Sequence, residues 1–213
     1  MQQVGRIKLL PSRATLRLDS ISWLTAHVLI LIIGLLLFFV PHMLREAGLR
    51  QSVMNSLPSA GAYKGLYTLI TLSGLGLIIW GKSVAPFTML WQPVYELRYI
   101  SHVLMLPALV LLVAGNVPTS NIRKQLRNPM LLGVVFWGLA HLWSNGDLAS
   151  MLLFGGFTLW GLIKFISLGL TITPDSKPAS LLWDIISIIG GLSMYAALSI
   201  YHGQLFGVGL SLV

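Results

Sequence analysis

Histidine is the residue type in this sequence best suited to hold a metal or cofactor, since the chain has five histidines and no cysteine. They are His27, His42, His102, His141 and His202, and each lies within or at the end of a long apolar segment. Ionisable groups in such segments are functional candidates, because a charge at that depth costs a few kcal/mol or more. A neutral imidazole can instead bind a metal through one ring nitrogen. Without cysteine, disulfides, iron–sulfur clusters and cysteine catalysis are excluded.

His141 lies on a stripe of residues spaced four apart. Gly133, Trp137, His141 and Asn145 share one helix face, because residues at i and i+4 lie above one another. A small residue, an aromatic ring, an imidazole and an amide together describe a cleft that could accept a flat ligand. Ordinary helix packing with a glycine contact accounts for the same stripe. The spacing leaves both interpretations open.

His42 and His102 each lie close to an arginine. His42 precedes Arg45, with Arg50 further along, and His102 follows Arg98 by one helical turn. A histidine next to an arginine suits haem, since the imidazole can supply an axial nitrogen and the cation can bind a propionate. A helix end near lipid phosphates has the same composition, however. Catalytic residues stay unassigned, because no glycine-rich loop followed by lysine, no serine–histidine–aspartate order and no carboxylate pair in an apolar segment occurs.

The elements that must position these residues are membrane-spanning helices. Of the 213 residues, 55% are hydrophobic and only 9% are charged, whereas a soluble domain averages about 25% charged residues. A bilayer core of about 30 Å needs roughly 20 apolar residues per helix, and six stretches reach or approach that length. They are 23–43, 65–80, 99–113, 129–144, 148–168 and 181–201. The sequence therefore predicts an all-α, polytopic transmembrane bundle of about six helices.

Charge separates a basic extension from this bundle. Residues 1–20 carry four cations ahead of the first apolar run and form a basic N-terminal extension, and residues 21–213 form the transmembrane domain. In so apolar a chain, a net charge of +8 fits basic loops on the anionic lipid bilayer better than nucleic acid.

Lysines and arginines number six on the N-terminal side and eight on the opposite side, so their count does not fix the orientation.

Only Asn145, Gly146 and Asp147 separate the fourth and fifth stretches, which predicts a tight antiparallel hairpin. Asn145 or Gly146 can take the left-handed conformation that ends a helix, and Asp147 is a good N-cap for the next helix. With a purely structural role, Asp147 should tolerate replacement by Asn, which keeps the capping oxygen.

Several segments of the chain resemble the NnrU family of bacterial membrane proteins. The most specific runs from Asn128 to Asp147 and includes the His141 stripe. The shorter ones are FFVPHMLR (38–45), YKGLYTLI (63–70), LMLPA (104–108) and YHGQLFGV (201–208). The resemblance covers nearly everything from residue 27 onward, so residues 21–213 are identified as an NnrU-like transmembrane domain.

The resemblance implies a role in denitrification, where the family is associated with production of active nitrite and nitric oxide reductases. It also implies a relation to the plant 15-cis-zeta-carotene isomerases, which are integral membrane proteins that use haem b. Their two critical histidines fall on His42 and His141 of this chain. Their Arg-His-Pro motif is replaced here by Arg127-Asn128-Pro129, so a third histidine is missing.

These implications give three hypotheses for function. The first is an accessory protein of the bacterial inner membrane, which handles haem b for respiratory reductases or their maturation factors. The second is a haem-dependent isomerase of a polyene, and the third is a cofactor-free bundle that acts through partner proteins. In the first two, the candidate iron ligands are His141, His42 and His102. The residues expected to line the cofactor are Arg45, Trp137 and Asn145.

Six crossings would place His42 and His141 near opposite ends of the bundle. Their depths would then differ by well over ~10 Å at about 1.5 Å per residue, too far for both to bind one haem. Three alternatives remain. His102, which would lie at the same end of the bundle as His141, could form the ligand pair with it. Otherwise the second helix does not fully cross the membrane, or His42 serves another purpose. His141 is the preferred ligand, because it combines the stripe with the most specific resemblance.

Six crossings also place the first and last residues of the chain on the same side of the membrane. Reporter fusions at Met1 and Val213 should therefore read out the same compartment. Opposite compartments would contradict the count of six.

Overall fold

The computed structural model describes residues 13–171, 177–208 and 210, and within them the chain is helical, with no named strand. In chain order the helices are α1 (Arg13–Met43), α2 (Arg50–Asn55), α3 (Ala60–Val84), α4 (Tyr99–Asn116), α5 (Asn121–Leu126), α6 (Pro129–Ser144), α7 (Leu148–Thr171) and α8 (Leu181–Phe206), and a 3₁₀ turn at Tyr95–Leu97 precedes α4. Part of the basic extension, residues 13–20, forms the first turns of α1, whereas residues 1–12 lie outside the described residues.

Five of these helices are long and apolar enough to cross a bilayer, namely α1, α3, α4, α7 and α8. The apolar helix α6 has only 16 residues, so it would cross nearly upright or where the bilayer is thinned. The predicted all-α, multi-pass membrane bundle is confirmed. The helix α3 extends beyond its apolar stretch at both ends, and Ser59 caps it by accepting from the Ala62 N–H at 3.1 Å.

The most extensive contacts join the six apolar helices in the order α3, α1, α7, α6, α4, α8, and α3 also contacts α7. Contacts between side chains give their directions. Lys164 of α7 contacts Glu46 just beyond α1, so these two helices run parallel. Lys82 near the end of α3 contacts Asp147 just before α7, so α3 runs the opposite way.

We call the end of the bundle where α1 finishes the His42 end, and the end where α6 finishes the His141 end. At the His141 end, Ser101 of α4 contacts Ser144 of α6, and His102 of α4 contacts Tyr195 of α8. Successive apolar helices thus alternate in direction, as six crossings require. The helix α1 begins at the same end of the bundle at which α8 finishes.

Small residues let neighbouring helices approach closely. Gly34 of α1 and Gly74 of α3 face each other, and a Cβ added to either would lie 2.7 Å from the backbone of the other helix. Gly191 of α8 meets the backbone of Val110 in α4 in the same way. In lipid, such close backbone packing is a main source of helix association, because no hydrophobic force drives the helices together.

The connection between α6 and α7 is the predicted hairpin, but its backbone differs from the prediction. Asn145 is extended, with φ −126° and ψ 116°, and neither it nor Gly146 is left-handed. The expected left-handed helix ending is therefore wrong. The extended backbone instead pairs with the loop between α3 and α4, where the Leu90 N–H donates to the Gly146 carbonyl at 2.7 Å. A side chain at Gly146 would overlap the Trp91 carbonyl, so only glycine fits.

Asp147 caps α7, as predicted, and also forms an ion pair that the sequence did not reveal. Its Oδ1 accepts from the Ser150 N–H at 3.0 Å, and Nζ of Lys82 lies 3.1 Å from the same oxygen. Lys82 also donates to the Ser150 hydroxyl at 2.8 Å. Burial raises the pKa of the Asp147 carboxyl, but the hydrogen bonds from Ser150 and Lys82 outweigh burial and leave the pKa below its ordinary value. The end of α3 is thus fastened to the start of α7.

A second carboxylate, that of Asp184, holds α5 and not its own helix. It is buried in the first turn of α8 and accepts from the backbone N–H groups of Asn121 at 3.2 Å and Ile122 at 3.0 Å. Ser120 caps the same helix by accepting from the Arg123 N–H. The connection between α4 and α6 is thereby tied to α8 at the His42 end.

The ion pair changes what is expected of Asp147 variants. Asp147→Asn keeps the cap but leaves Lys82 without a counter-charge, and we expect a loss of about 2 kcal/mol in the free energy of unfolding. This loss lies between the free energies typical of surface ion pairs and of buried ion pairs, because the Lys82 side chain is 33% exposed. Asp147→Ala should cost roughly 1 kcal/mol more, through the lost cap. Denaturant titration of helicity in detergent checks both, and equal stability of wild type and Asp147→Asn would contradict the role of the pair.

Candidate functional site

A cavity of about 440 Å³ lies beside His42, at the His42 end of the bundle. It is bounded by the end of α1, the chain that follows, the first turns of α3 and the second half of α7. Its wall combines an imidazole, two phenols and four cations with a few other side chains. These residues are His42, Tyr63, Tyr67, Arg45, Arg50, Lys64, Lys164, Pro41, Leu44 and Thr68.

The imidazole of His42 is held in one orientation. Its Nδ1 lies 2.7 Å from the Phe38 carbonyl oxygen, which can only accept, so Nδ1 carries the donated proton. The ring stacks on Phe38 with centroids 4.5 Å apart, and it also contacts Tyr67 at 5.3 Å and Trp160 at 5.7 Å. In the neutral imidazole, Nε2 then keeps its lone pair and can bind a metal or accept a proton.

The cations of the cavity come from four segments of the chain. Arg45 lies in the turn after α1, Arg50 begins α2, Lys64 lies in the first turns of α3, and Lys164 belongs to α7. One carboxylate, that of Glu46, lies among these four cations, where it pairs with Lys164 and interacts electrostatically with Arg45. The cavity therefore carries a positive charge that favours an anionic ligand.

The ion pair between Lys164 and Glu46 is buried next to this cavity. Nζ of Lys164 lies 2.8 Å from Glu46 Oε1 and donates to the His42 carbonyl oxygen at 3.1 Å. The two side chains are only 13% and 8% exposed. Burial raises the pKa of the Glu46 carboxyl, but the hydrogen bond from Lys164 outweighs burial and leaves the pKa below its ordinary value. The ionised pair ties the end of α1, and with it His42, to α7.

Two buried polar atoms close to His42 have no hydrogen-bond partner in the described part of the chain. They are Oε2 of Glu46 and Nε1 of Trp160, whose ring lies against the imidazole. Leaving such an atom unsatisfied costs about 1–3 kcal/mol. A water molecule or a ligand is therefore expected to supply the partner.

His141 lies at the opposite end of the bundle, on the side of α6 that packs against α7. Its ring stacks on Phe154 with centroids 4.4 Å apart, and its Nδ1 donates to the Trp137 carbonyl at 2.8 Å. Asn145 donates to the His141 carbonyl at 2.8 Å, whereas Gly133 faces α4. One face of the imidazole is thus occupied by a phenyl ring, as in ordinary helix packing. Ligation of iron by His141 stays a prediction.

His102 lies at the same end as His141 but faces another helix. Its Nδ1 lies 2.8 Å from the Tyr195 hydroxyl of α8, whereas His141 faces α7. No hydrogen bond or ring contact of the described residues joins any two of the three candidate ligands. The described chain also contains no cluster of three or more side chains suited to hold a metal ion.

A protein-family profile described as NnrU protein matches residues 30–210, which is most of the chain. The chain belongs to the NnrU family. No curated protein and no solved structure matches it. Every residue that lines the His42 cavity lies within the matched range. The cavity is thus part of the NnrU domain and not of the basic extension.

Several residues of the cavity in this NnrU domain had no role in the sequence analysis. One segment that resembles the family contains Tyr63, Lys64 and Tyr67. Two tyrosines four residues apart, with a lysine beside the first, were the sequence feature that could have indicated a site there. Lys164 is a lone cation in an apolar stretch, which signals that it needs a partner. That partner, Glu46, is 118 residues earlier, and the sequence around it does not indicate the pairing.

The pair of Glu46 and Lys164 gives this end of the bundle a pH dependence. Because the folded-state pKa of Glu46 is lowered, its contribution to stability is present above the ordinary value of 4.5 and is lost as the pH falls through the lowered value. Glu46→Gln should cost about 3 kcal/mol near neutral pH, since it leaves a buried lysine unpaired. The stability gap between wild type and Glu46→Gln should close below about pH 4. A gap that is the same in neutral and acidic detergent solutions would contradict the ion pair.

Proposed function

We propose that this NnrU-family protein binds haem b in the His42 cavity and acts as an accessory protein in the production of active nitrite and nitric oxide reductases. The observation that carries the haem part is the state of His42, an imidazole oriented through Nδ1 that lines a cavity together with four cations. The part that concerns the reductases rests on what the family resemblance implies.

The residues around the cavity fit the separate parts of haem. Nε2 of His42 would bind the iron, as a single proximal histidine does in globins and peroxidases. Cations of the cavity would bind the propionates, and Arg45, in the turn after α1, would line the cofactor beside them. The rings of Tyr67 and Trp160 would pack against the macrocycle. Bound haem would supply an iron that can exchange an electron or bind a small ligand.

The contribution of the chain itself is to hold the imidazole in place. The Phe38 carbonyl fixes the tautomer of His42 and makes Nε2 more basic, as the partners of ligating histidines usually do. Lys164 holds the His42 carbonyl and pairs with Glu46, so the end of α1 keeps its position against α7. A ligand bound at Nε2 would therefore meet an imidazole that does not need to reorient.

The lining of the cavity weighs against the isomerase hypothesis. An isomerase of a polyene would need an apolar cleft of lipid size beside the iron. The His42 cavity is lined mainly by cations and phenols, which favour a ligand with anionic groups over an uncharged substrate.

We place the protein in the inner membrane of a bacterium, with respiratory reductases or their maturation factors as its partners. The resemblance to bacterial membrane proteins and the apolar helices of the chain support this location. The basic His42 end would lie against anionic lipid headgroups. Haem bound there would lie close to the membrane surface, where a partner protein could reach it.

Alanine substitutions at single histidines test the haem site. His42→Ala should lose most of its haem during purification in detergent, and its Soret band should shift or vanish, because the axial nitrogen is removed. His27→Ala is the matched control on the same helix, outside the cavity, and should keep the wild-type haem content. Haem per protein and the visible spectrum are the measurements.

His141→Ala and His102→Ala distinguish the competing arrangements. If haem is held by His42, both variants should keep it with an unshifted Soret band. Full haem occupancy in His42→Ala together with loss of haem in His141→Ala would overturn the His42 site and favour the stripe on α6. A wild-type protein that stays colourless even after reconstitution with haem would overturn haem binding altogether.

A further inference from the structure

Two cations of the His42 cavity, those of Arg50 and Lys64, have no carboxylate partner among the described residues. Lys164 differs from them, because Glu46 neutralises it at 2.8 Å. Arg50 and Lys64 are both exposed, and both line the same cavity. The cavity thus presents two positive charges that no described part of the protein balances.

The fold brings these two cations to one cavity from separate helices. A left-handed turn at Gly48, with φ 70°, folds the chain back after α1, and glycine adopts this conformation at little cost. The Leu49 and Arg50 N–H groups then donate to the Leu44 carbonyl at 2.9 and 3.0 Å. This places Arg50, at the start of α2, beside the cavity that Lys64 reaches from α3.

The setting of Arg50 and Lys64 favours one chemistry of ligand. Two unbalanced cations on one cavity, next to apolar membrane helices, match an apolar body that carries two acidic groups. His42, whose Nδ1 donates to the Phe38 carbonyl, lines the same cavity and would offer Nε2 to a metal. A porphyrin with two propionates on one edge combines these features.

We propose that Arg50 and Lys64 each bind one carboxylate of a porphyrin and that they select dicarboxylate porphyrins over their esters. The proposal rests on the haem function given above, but it assigns residues that iron ligation by His42 does not require. Arg50 can bind a carboxylate through two parallel N–H bonds, whereas Lys64 supplies a single point charge.

Metal-free protoporphyrin IX and its dimethyl ester separate carboxylate binding from iron ligation. Each is titrated into detergent-solubilised protein and followed by porphyrin fluorescence. Arg50→Gln and Lys64→Gln should each weaken binding of the diacid about tenfold and leave binding of the ester unchanged. The matched control is Lys124→Gln, an exposed lysine of α5 at the same end of the bundle but outside the cavity, and it should change neither.

Three results would overturn the proposal. The first is equal binding of the diacid by Arg50→Gln, Lys64→Gln and Lys124→Gln. The second is an equal loss for diacid and ester in a variant whose helicity matches that of wild type, since the lost contact would then not involve the carboxylates. The third is displacement of the diacid by phosphatidylglycerol vesicles with the same dependence on Arg50, which would assign the cations to a lipid headgroup.

This assignment and the proposed function fail in different ways. Haem that is retained through His42 with no dependence on Arg50 or Lys64 overturns the carboxylate assignment alone. Diacid binding with the expected dependence, together with a haem spectrum that His42→Ala does not change, overturns iron ligation alone. A protein that binds neither porphyrin nor haem overturns both.

Discussion

Paired charges inside an apolar bundle are the constraint on which the rest of this structure depends. No water is available in a bilayer core, so a lysine that enters it needs a partner. Two lysines have such a partner. Lys82 of α3 pairs with Asp147, which directly precedes α7, and Lys164 of α7 pairs with Glu46, which follows α1. Removing one partner leaves an uncompensated charge, which costs more than the pair contributes. The two pairs therefore fix where α3 and α1 lie along α7.

That fixed arrangement separates the two histidines that the sequence singled out. Phe154 stacks on His141 and Trp160 contacts His42, and these two aromatic residues lie about 9 Å apart along α7, at about 1.5 Å per residue. Phe157 lies between them, with its ring centroid 6.3 Å from that of Trp160. Aromatic side chains of α7 thus contact both imidazoles, Phe154 that of His141 and Trp160 that of His42. The two rings meet different neighbours along the same helix.

Sequence-based prediction succeeded where the signal is local and failed where the partner is distant. Apolar runs located the six apolar helices, and the cap formed by Asp147 follows from its place directly before α7. Nothing near Lys164 marks Glu46, which is 118 residues earlier, so the ion pair beside the cavity was not predicted. The left-handed ending expected at Asn145 was wrong for a related reason. The loop at Leu90, distant in sequence, supplies a hydrogen bond that favours an extended hairpin backbone.

His42 and His141 show why residue type and spacing predict a ligand only in part. Both imidazoles donate from Nδ1 to the carbonyl four residues earlier, those of Phe38 and Trp137, so the neutral ring of each keeps a lone pair on Nε2. The difference lies in what the rest of the fold brings to each ring. The imidazole at the His141 end meets Phe154, whereas the one at the His42 end borders a cavity with cations from α2, α3 and α7. Because the positions of α1 and α3 along α7 follow from the two buried ion pairs, the chemistry available to His42 depends on charges that lie outside its own helix.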